Sequence, residues 1–212
     1  DFIYNYDNDG NRTDSTFYKK WDLIKNYAGL EPRLSLSHQI NSLNKISLSY
    51  FHTIQYLQLL PSAFINNPAS TWFPSSHIIK PQRAHQVSLG IHHEFPNRNW
   101  ESSFEVYYKQ LKNQIAYRQG AALELGSDIE SQLVFGQAEI YGAEFLLKKR
   151  TGKLRGWLSC SYSKAKNEFS EINNGNPFPS EFDRPLNISL VNIYEANSKF
   201  TIAATWNFSS GR

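Results

Sequence analysis

The sequence lacks the features of a disulfide-linked protein, a helical membrane protein or a nucleic-acid-binding protein. Only one of its 212 residues is a cysteine, Cys160, so no intrachain disulfide can form. No run approaches the roughly twenty apolar residues of a membrane helix, and the opening stretch DFIYNYDNDG has no signal-peptide pattern. Basic and acidic residues are interspersed and give a net charge of +3, so we expect no nucleic-acid partner.

The usual catalytic and metal-binding patterns are also missing. No serine, histidine and aspartate ordering, glycine-rich phosphate loop or paired-carboxylate arrangement stands out, so we expect no catalytic residues, no enzymatic activity and no cofactor. His92 and His93 are adjacent, and neighbours on a strand point to opposite faces, so they cannot chelate one ion together. The stretch DNDGN at 7–11 has its glycine too early for a calcium loop, and we expect no metal site.

Aromatic residues, in contrast, are abundant and lie in segments with a two-residue period. They form 15% of the chain, a composition that favours strands. In KFTIAATWNF, Phe200, Ile202 and Trp206 fall on one face, while Lys199 and Thr201 fall on the other. The same alternation occurs at 32–40, 44–57, 85–95, 139–149 and 153–164. The pattern predicts an all-β fold of about nine antiparallel strands, in which His52 falls on the apolar face unless a bulge shifts it.

The predicted connections alternate in length. Short turns are expected at 41–44, 96–99, 151–153 and 195–198, and long loops at 7–27, 58–83, 118–136 and 168–183. Long loops are uncommon in compact soluble domains. A transmembrane β-barrel, which has short periplasmic turns and long extracellular loops, predicts this asymmetry, and it would place the apolar face against outer-membrane lipid. A soluble, sugar-binding β-sandwich has the same period with its apolar face in a core, so the period alone leaves both open.

An ordered series of segments resembles the C-terminal barrel region of TonB-dependent outer-membrane receptors, particularly of the Bacteroidetes type. The segments are LEPRLSLSHQI (30–40), QYLQLLP (55–61), TWFPSSHIIKPQRAHQVSLG (71–90), FEVYYKQLKNQIAYRQGA (104–121), YGAEFLLKKRTGKLRGWLSCSYSKA (141–165), NNGNPFPSEFDRPLNISLV (173–191) and WNFSSGR (206–212). The resemblance implies that residues 1–212 are part of a single transmembrane β-barrel domain, with a plug domain and closing strands absent from this chain.

The same resemblance implies a location and partners. The location is the outer membrane of a Gram-negative bacterium, and the function is active uptake of a nutrient: a glycan, peptide, siderophore or metal chelate. Energy would come from the TonB-ExbB-ExbD system through parts of the parent chain not present here. A surface lipoprotein over the barrel mouth is a partner that the resemblance leaves open. A passive porin or adhesin barrel is the alternative membrane function.

Two groups of residues are candidates for the site. The predicted loop around TWFPSSHIIKPQR combines aromatic and cationic groups that could stack on and hydrogen-bond a nutrient ligand: Trp72, Phe73, His77, Lys80 and Arg83. The second group is expected to line the wet interior of the wall and consists of Glu144, Lys199 and Thr201. We expect Glu144 to pair with a neighbouring lysine or arginine.

Overall fold

Nearly all of the regular structure is β-strand. The computed structural model describes residues 2–6, 12–19, 21–60, 71–121, 129–181 and 183–211, so the DNDGN stretch and parts of three predicted long loops lie outside it. The strands are β1 (Phe2–Tyr6), β2 (Arg12–Phe17), β3 (Arg33–Gln39), β4 (Asn44–Gln55), β5 (Leu57–Leu60), β6 (Thr71–Pro74), β7 (Gln82–Glu94), β8 (Trp100–Tyr117), β9 (Leu133–Lys149), β10 (Leu154–Phe169), β11 (Phe178–Pro179), β12 (Leu186–Asn197) and β13 (Phe200–Ser209). Two short 3-10 turns lie at Ile129–Gln132 and Asn173–Gly175. Within these ranges no helix is long and apolar enough to cross a membrane.

One antiparallel sheet dominates the structure. Its order is β3, β4, β7, β8, β9, β10, β12 and β13, and the short β11 pairs with β10 as its ninth strand. Consecutive long strands are neighbours, and β3 and β13 form the two edges of this open sheet. The all-β class and the count of about nine strands are therefore confirmed. Strands such as β8, with 18 residues, are far longer than the five or six residues usual in soluble sheets.

The two faces of the sheet follow the predicted alternation. Directly paired residues share a face, so the register assembles rows across the sheet. One such row defines the apolar face: Leu36, Leu48, Leu89, Val106, Ala143, Tyr162 and Leu186. The large side chains on this face lie open, with Leu36, Ile202 and Trp206 at 69%, 62% and 54% exposure. No second sheet within the described ranges covers them, which is the opposite of a sandwich core.

Aromatic residues lie at both ends of the apolar face. Toward the long connections, Tyr50, Tyr108 and Tyr141 form a tyrosine row. Toward the short turns, Trp100 lies beside Lys149, whose Nζ is 5.6 Å from the ring centroid. Trp100 and Tyr108 are eight residues apart on one strand. This separation is about 27 Å along the strand, or about 20 Å of height at a 40° tilt, comparable with the roughly 25 Å apolar band of a membrane barrel.

The predicted asymmetry of the connections is confirmed. The four short turns lie at one edge of the sheet, which we call the short-turn edge, and the long connections lie at the other, the long-loop edge. Three expected loops contain short strands: β2 pairs with β1 and β5 pairs with β6 outside the main sheet, and β11 pairs with β10 within it. These short hairpins have too few alternating residues to stand out in the sequence.

The buried core lies at the long-loop edge and not within the wall. Leu60, Phe73, Ile79 and Leu133 form a buried cluster, against which Ile115 and Tyr117 pack. It begins beyond a bulge at Asn113, whose φ is 59° and whose Nδ2 donates to the carbonyl oxygen of Pro81 at 2.8 Å. The hairpin of β5 and β6 is thereby fixed to the ends of β8 and β9.

Candidate functional site

The polar face consists mainly of hydroxyl, amide and carboxylate groups. A row at mid-height defines it: Ser47, Gly90, Glu105, Glu144, Ser161, Asn187 and Ser209. Hydroxyls bridge strands on this face, with Ser49 Oγ and Ser88 Oγ 2.6 Å apart. The row lines a concavity of about 660 Å³, which we call the lower concavity. Its groups can donate to and accept from hydroxyl- or amide-bearing solutes.

Glu144 has an acidic neighbour and not the expected basic one. The register places Glu105 directly opposite it. Among the ion pairs of the described residues, none involves either carboxylate. The expected pairing with lysine or arginine is therefore not found. Sequence reasoning could not foresee the contact, because the long connection between β8 and β9 leaves their register open.

A second concavity of about 800 Å³, the upper concavity, lies at the long-loop edge. Its wall is mainly apolar and includes Leu111, Ile140, Phe169, Ile172 and Phe178. The rings of Phe169 and Phe178 are 6.2 Å apart between centroids. Apolar surface with a few polar groups around it is typical of ligand pockets. Sequence reasoning missed this group because its members come from three separate segments.

The connection after β10 is held against this concavity by backbone contacts. The Asp183 carboxylate accepts the N–H of Ala165 at 3.0 Å, and the carbonyl oxygen of Ala165 accepts the N–H of Ser180 at 3.0 Å. The two residues of β11 pair with Lys166 and Asn167 of β10. Phe178 is therefore placed by strand pairing and not by a free loop.

The loop residues expected to bind a ligand do not gather into one site. Phe73 is 8% exposed and belongs to the buried cluster. His77 Nε2 lies 3.1 Å from the carbonyl oxygen of Tyr4. Trp72 and Lys80 are exposed, but neither lines the lower or the upper concavity.

The fifth of these residues, Arg83, lies elsewhere. It is the second residue of β7, and alternation places it on the apolar face with His85 and Val87. Strand geometry thus places Arg83 on the side of the sheet opposite to the polar face. Thr201, in contrast, alternates with Phe200 and Ile202 on β13 and so falls on the polar face, whereas Lys199 lies in the turn that precedes β13.

A charged network crosses the polar face at the short-turn edge. Arg150 contacts Glu94 at 3.0 Å and also pairs with Glu101, while Lys148 lies 3.2 Å from Glu101. Hydrogen bonding to Glu101 raises the pKa of Arg150, which lies in the turn itself. His92, Glu94 and Glu101 offer ligand atoms within 4.8 Å of one another, but both carboxylates already have cationic partners. The arrangement is that of an ion-pair network.

Comparison with known protein families agrees with this geometry. A family model described as "TonB dependent receptor-like, beta-barrel" matches residues 3–212. The comparison with curated proteins and that with solved structures found no match. The match concerns the family as a whole, so the Bacteroidetes type stays a prediction. Since the match to this family model spans almost the entire sequence, the chain belongs to the TonB-dependent receptor-like β-barrel family, which is a family of outer-membrane receptors and transporters and not of enzymes.

Proposed function

We propose that the chain is part of the wall of an outer-membrane receptor that takes up a nutrient with energy supplied through the TonB system. In this proposal residues 1–212 belong to a single barrel domain. The apolar face meets lipid, the polar face meets the interior, and the long-loop edge faces outward from the cell. The interior-facing residues then include Glu144, Lys199 and Thr201.

The observation that carries the proposal is the open apolar face between the tyrosine row and Trp100. Leu89 and Val106 are 51% and 39% exposed at the centre of a nine-stranded sheet. So much apolar surface is unfavourable in water and is the normal wall of a barrel in lipid. The family match supports the same environment.

The nutrient contacts are proposed at the upper concavity. This surface combines the Phe169 and Phe178 rings with polar groups and lies at the edge that carries the long connections. Trp72 and Lys80 are exposed near that edge and remain candidates for a first contact with the ligand. Phe73 has a packing role, because its ring is buried among aliphatic side chains.

Uptake by a deletion strain tests the proposal. The gene for the parent protein is deleted, and uptake of a panel of glycans, peptides, siderophores and metal chelates is measured with and without the restored gene. We expect one class to depend both on the gene and on TonB. Uptake that persists without TonB would indicate the passive porin instead, and a parent protein that stays soluble without detergent would indicate the sandwich.

A pair of variants then locates the contact. Phe178→Ala removes a ring from the upper concavity, and we expect the half-saturating nutrient concentration to rise about 5- to 30-fold, corresponding to about 1–2 kcal/mol. Phe135→Ala is the matched control, since Phe135 is 40% exposed on β9 and does not line that concavity. Equal effects of the two variants would contradict the proposed contact surface.

A further inference from the structure

A band of polar side chains crosses the apolar face beyond the tyrosine row, toward the long-loop edge. The first row of this band contains His52, His85, Gln110, Glu139 and Lys166. The second row contains Ile54, Arg83, Lys112, Gln137 and Glu168. The register between β4 and β7 runs without a shift through His52, so the bulge that would have moved this residue is not present.

The band is electrically balanced on one side of the sheet. On β9 and β10, Glu139 lies directly opposite Lys166. Tyr108 Oη donates to Glu139 at 2.8 Å, and Gln137 donates to Glu168 at 3.2 Å. Each carboxylate on this half therefore has a donor or a cation next to it.

The other side of the band carries unbalanced positive charge. Arg83 of β7 lies directly opposite Lys112 of β8. Like charges in direct cross-strand pairs destabilise a sheet. Neither side chain forms an ion pair within the described ranges. Among the described residues, Glu31 lies near this end of β4, where its Oε1 accepts the N–H of Ile54 at 2.5 Å, and it forms no ion pair with Arg83 or Lys112.

Two histidine rings adjoin these cations on the side nearer the tyrosine row. His52 and His85 are stacked, with centroids 4.3 Å apart and planes 5° apart. The Nδ1 of His85 lies 2.9 Å from Tyr50 Oη, and the Nδ1 of His52 lies 2.9 Å from the carbonyl oxygen of Leu30. The Nε2 of His52 is buried and has no hydrogen-bond partner among the described residues. The cluster thus contains two cations and an unsatisfied ring nitrogen.

The height of the cluster indicates the kind of anion. Lys112 is four residues beyond Tyr108 on β8. That distance is about 13 Å along the strand, or about 10 Å of height at a 40° tilt. Tyrosine rows mark the boundary between hydrocarbon and headgroups, so the cations lie at headgroup level. Lysine and arginine also present donors that suit phosphate oxygens.

We propose that Arg83 and Lys112, beside the stacked His52 and His85 rings, form an outward-facing binding site for a phosphate group of a membrane-lipid headgroup. The inference rests on the proposed function in one respect, since it requires the apolar face to be in a membrane. The phosphate neutralises the opposed Arg83 and Lys112, and the acyl chains of the lipid lie along Val87 and Leu89. This basic site is separate from the nutrient path, which lies on the polar face.

Binding of a defined lipid to the purified parent protein tests the site. The protein in detergent is titrated with diphosphorylated lipid A, with the same lipid after removal of its phosphates, and with inorganic phosphate. We expect the diphosphorylated lipid to bind at least about tenfold more tightly than either of the other two, since charge-assisted hydrogen bonds depend on the phosphate. Equal binding of the dephosphorylated lipid would overturn the proposal, and equally tight binding of inorganic phosphate would indicate a soluble anion instead.

Paired variants assign the binding to these residues. The double variant Arg83→Gln and Lys112→Gln should weaken lipid A binding about tenfold or more by removing both cations. The double variant Lys164→Gln and Lys166→Gln removes the same charge from β10, where Lys164 lies opposite Tyr141 and Lys166 opposite Glu139. We expect less than about a twofold change there. Similar losses in both double variants would refute a localised site. Detergent-solubilised protein with unchanged strand content by circular dichroism shows that either variant is folded.

The outcome for the site is separable from the outcome for the proposed function. Uptake is measured in the same strains. TonB-dependent uptake without any preference for phosphorylated lipid would refute the basic site alone. A parent protein that never enters membranes would refute the proposed function, and the site with it.

Discussion

Replacing Leu89 by arginine separates a lipid-facing surface from a water-facing one. Leu89 lies in the middle of the apolar face, between Leu48 and Val106, and is 51% exposed. At such an exposed position in water, Leu89→Arg would change the free energy of unfolding by no more than about 0.5 kcal/mol. Against lipid near mid-membrane, the same arginine costs about 2–4 kcal/mol. A cost of about 2–4 kcal/mol corresponds to about a 30- to 700-fold change in the folding equilibrium.

The matched control is Ser161→Arg on the polar face. Ser161 lies next to Tyr162, which belongs to the same row as Leu89, so the two substitutions are at nearly the same height. Its neighbour across the strand is Glu144, which can pair with the new arginine. We therefore expect Ser161→Arg to be neutral or mildly stabilising.

The assay compares folding of the full parent protein into lipid vesicles. The measured quantities are the folded yield and the denaturant midpoint of wild type and the two variants. We expect a clear loss for Leu89→Arg and none for Ser161→Arg. Equal tolerance of both substitutions, or greater damage from the serine replacement, would refute the assignment of lipid to the apolar face.

Two further predictions concern the integrity of the wall. Gly142→Val should lower the free energy of unfolding by about 1–3 kcal/mol. The reason is that a Cβ at Gly142 would lie 2.7 Å from the Tyr107 ring and 2.6 Å from a backbone oxygen. Denaturant unfolding in vesicles measures the loss. Arg150→Gln should lower the thermal midpoint of unfolding, because Glu94 and the buried Glu101 lose the cation that they share. Lys148, which also contacts Glu101, compensates only in part. Circular dichroism on heating measures this change.

Each of these two variants has a neighbour as its control. Ala143→Val adds the same side chain one residue further on, where it points to the apolar face, and should have little effect on unfolding. Arg98→Gln removes a cation from the exposed turn between β7 and β8 and should leave the midpoint unchanged. A control as damaging as its partner would contradict the specific contact invoked.

Local sequence patterns predicted the faces and connections of this sheet well. Alternation in β3 and β4 placed Leu36 and Leu48 on one side, and the register confirms that they are directly paired. Asparagine-containing turns were also correct, since Asn41 Oδ1 accepts the N–H of Leu43 and Asn197 Oδ1 accepts the N–H of Lys199. These features depend on neighbouring residues only, so the sequence displays them directly.

Features that depend on distant pairing were not predictable in this way. The contact between Glu105 and Glu144 needs the register of two strands joined by a long connection. The burial of Phe73 needs the β5–β6 hairpin to pack on Leu133. The position of Arg83 on the apolar face follows from where β7 begins, and a segment interpreted as loop carries no alternation to reveal it. Site residues on such segments are therefore the least predictable part of the chain.

The Glu105 and Glu144 pair also bears on which face is wet. Two carboxylates on directly opposed residues, taken at about 5 Å, repel by about 0.8 kcal/mol in water and by about 3 kcal/mol at an effective dielectric constant near 20. The second value is a large fraction of the marginal stability of a folded protein, whereas the first is tolerable. No cation of the described residues pairs with either carboxylate. The repulsion between the two is therefore tolerable only if water screens them on this face. The hydroxyl and amide groups around the pair need the same solvent, so the polar face is the hydrated side, as the proposed function requires.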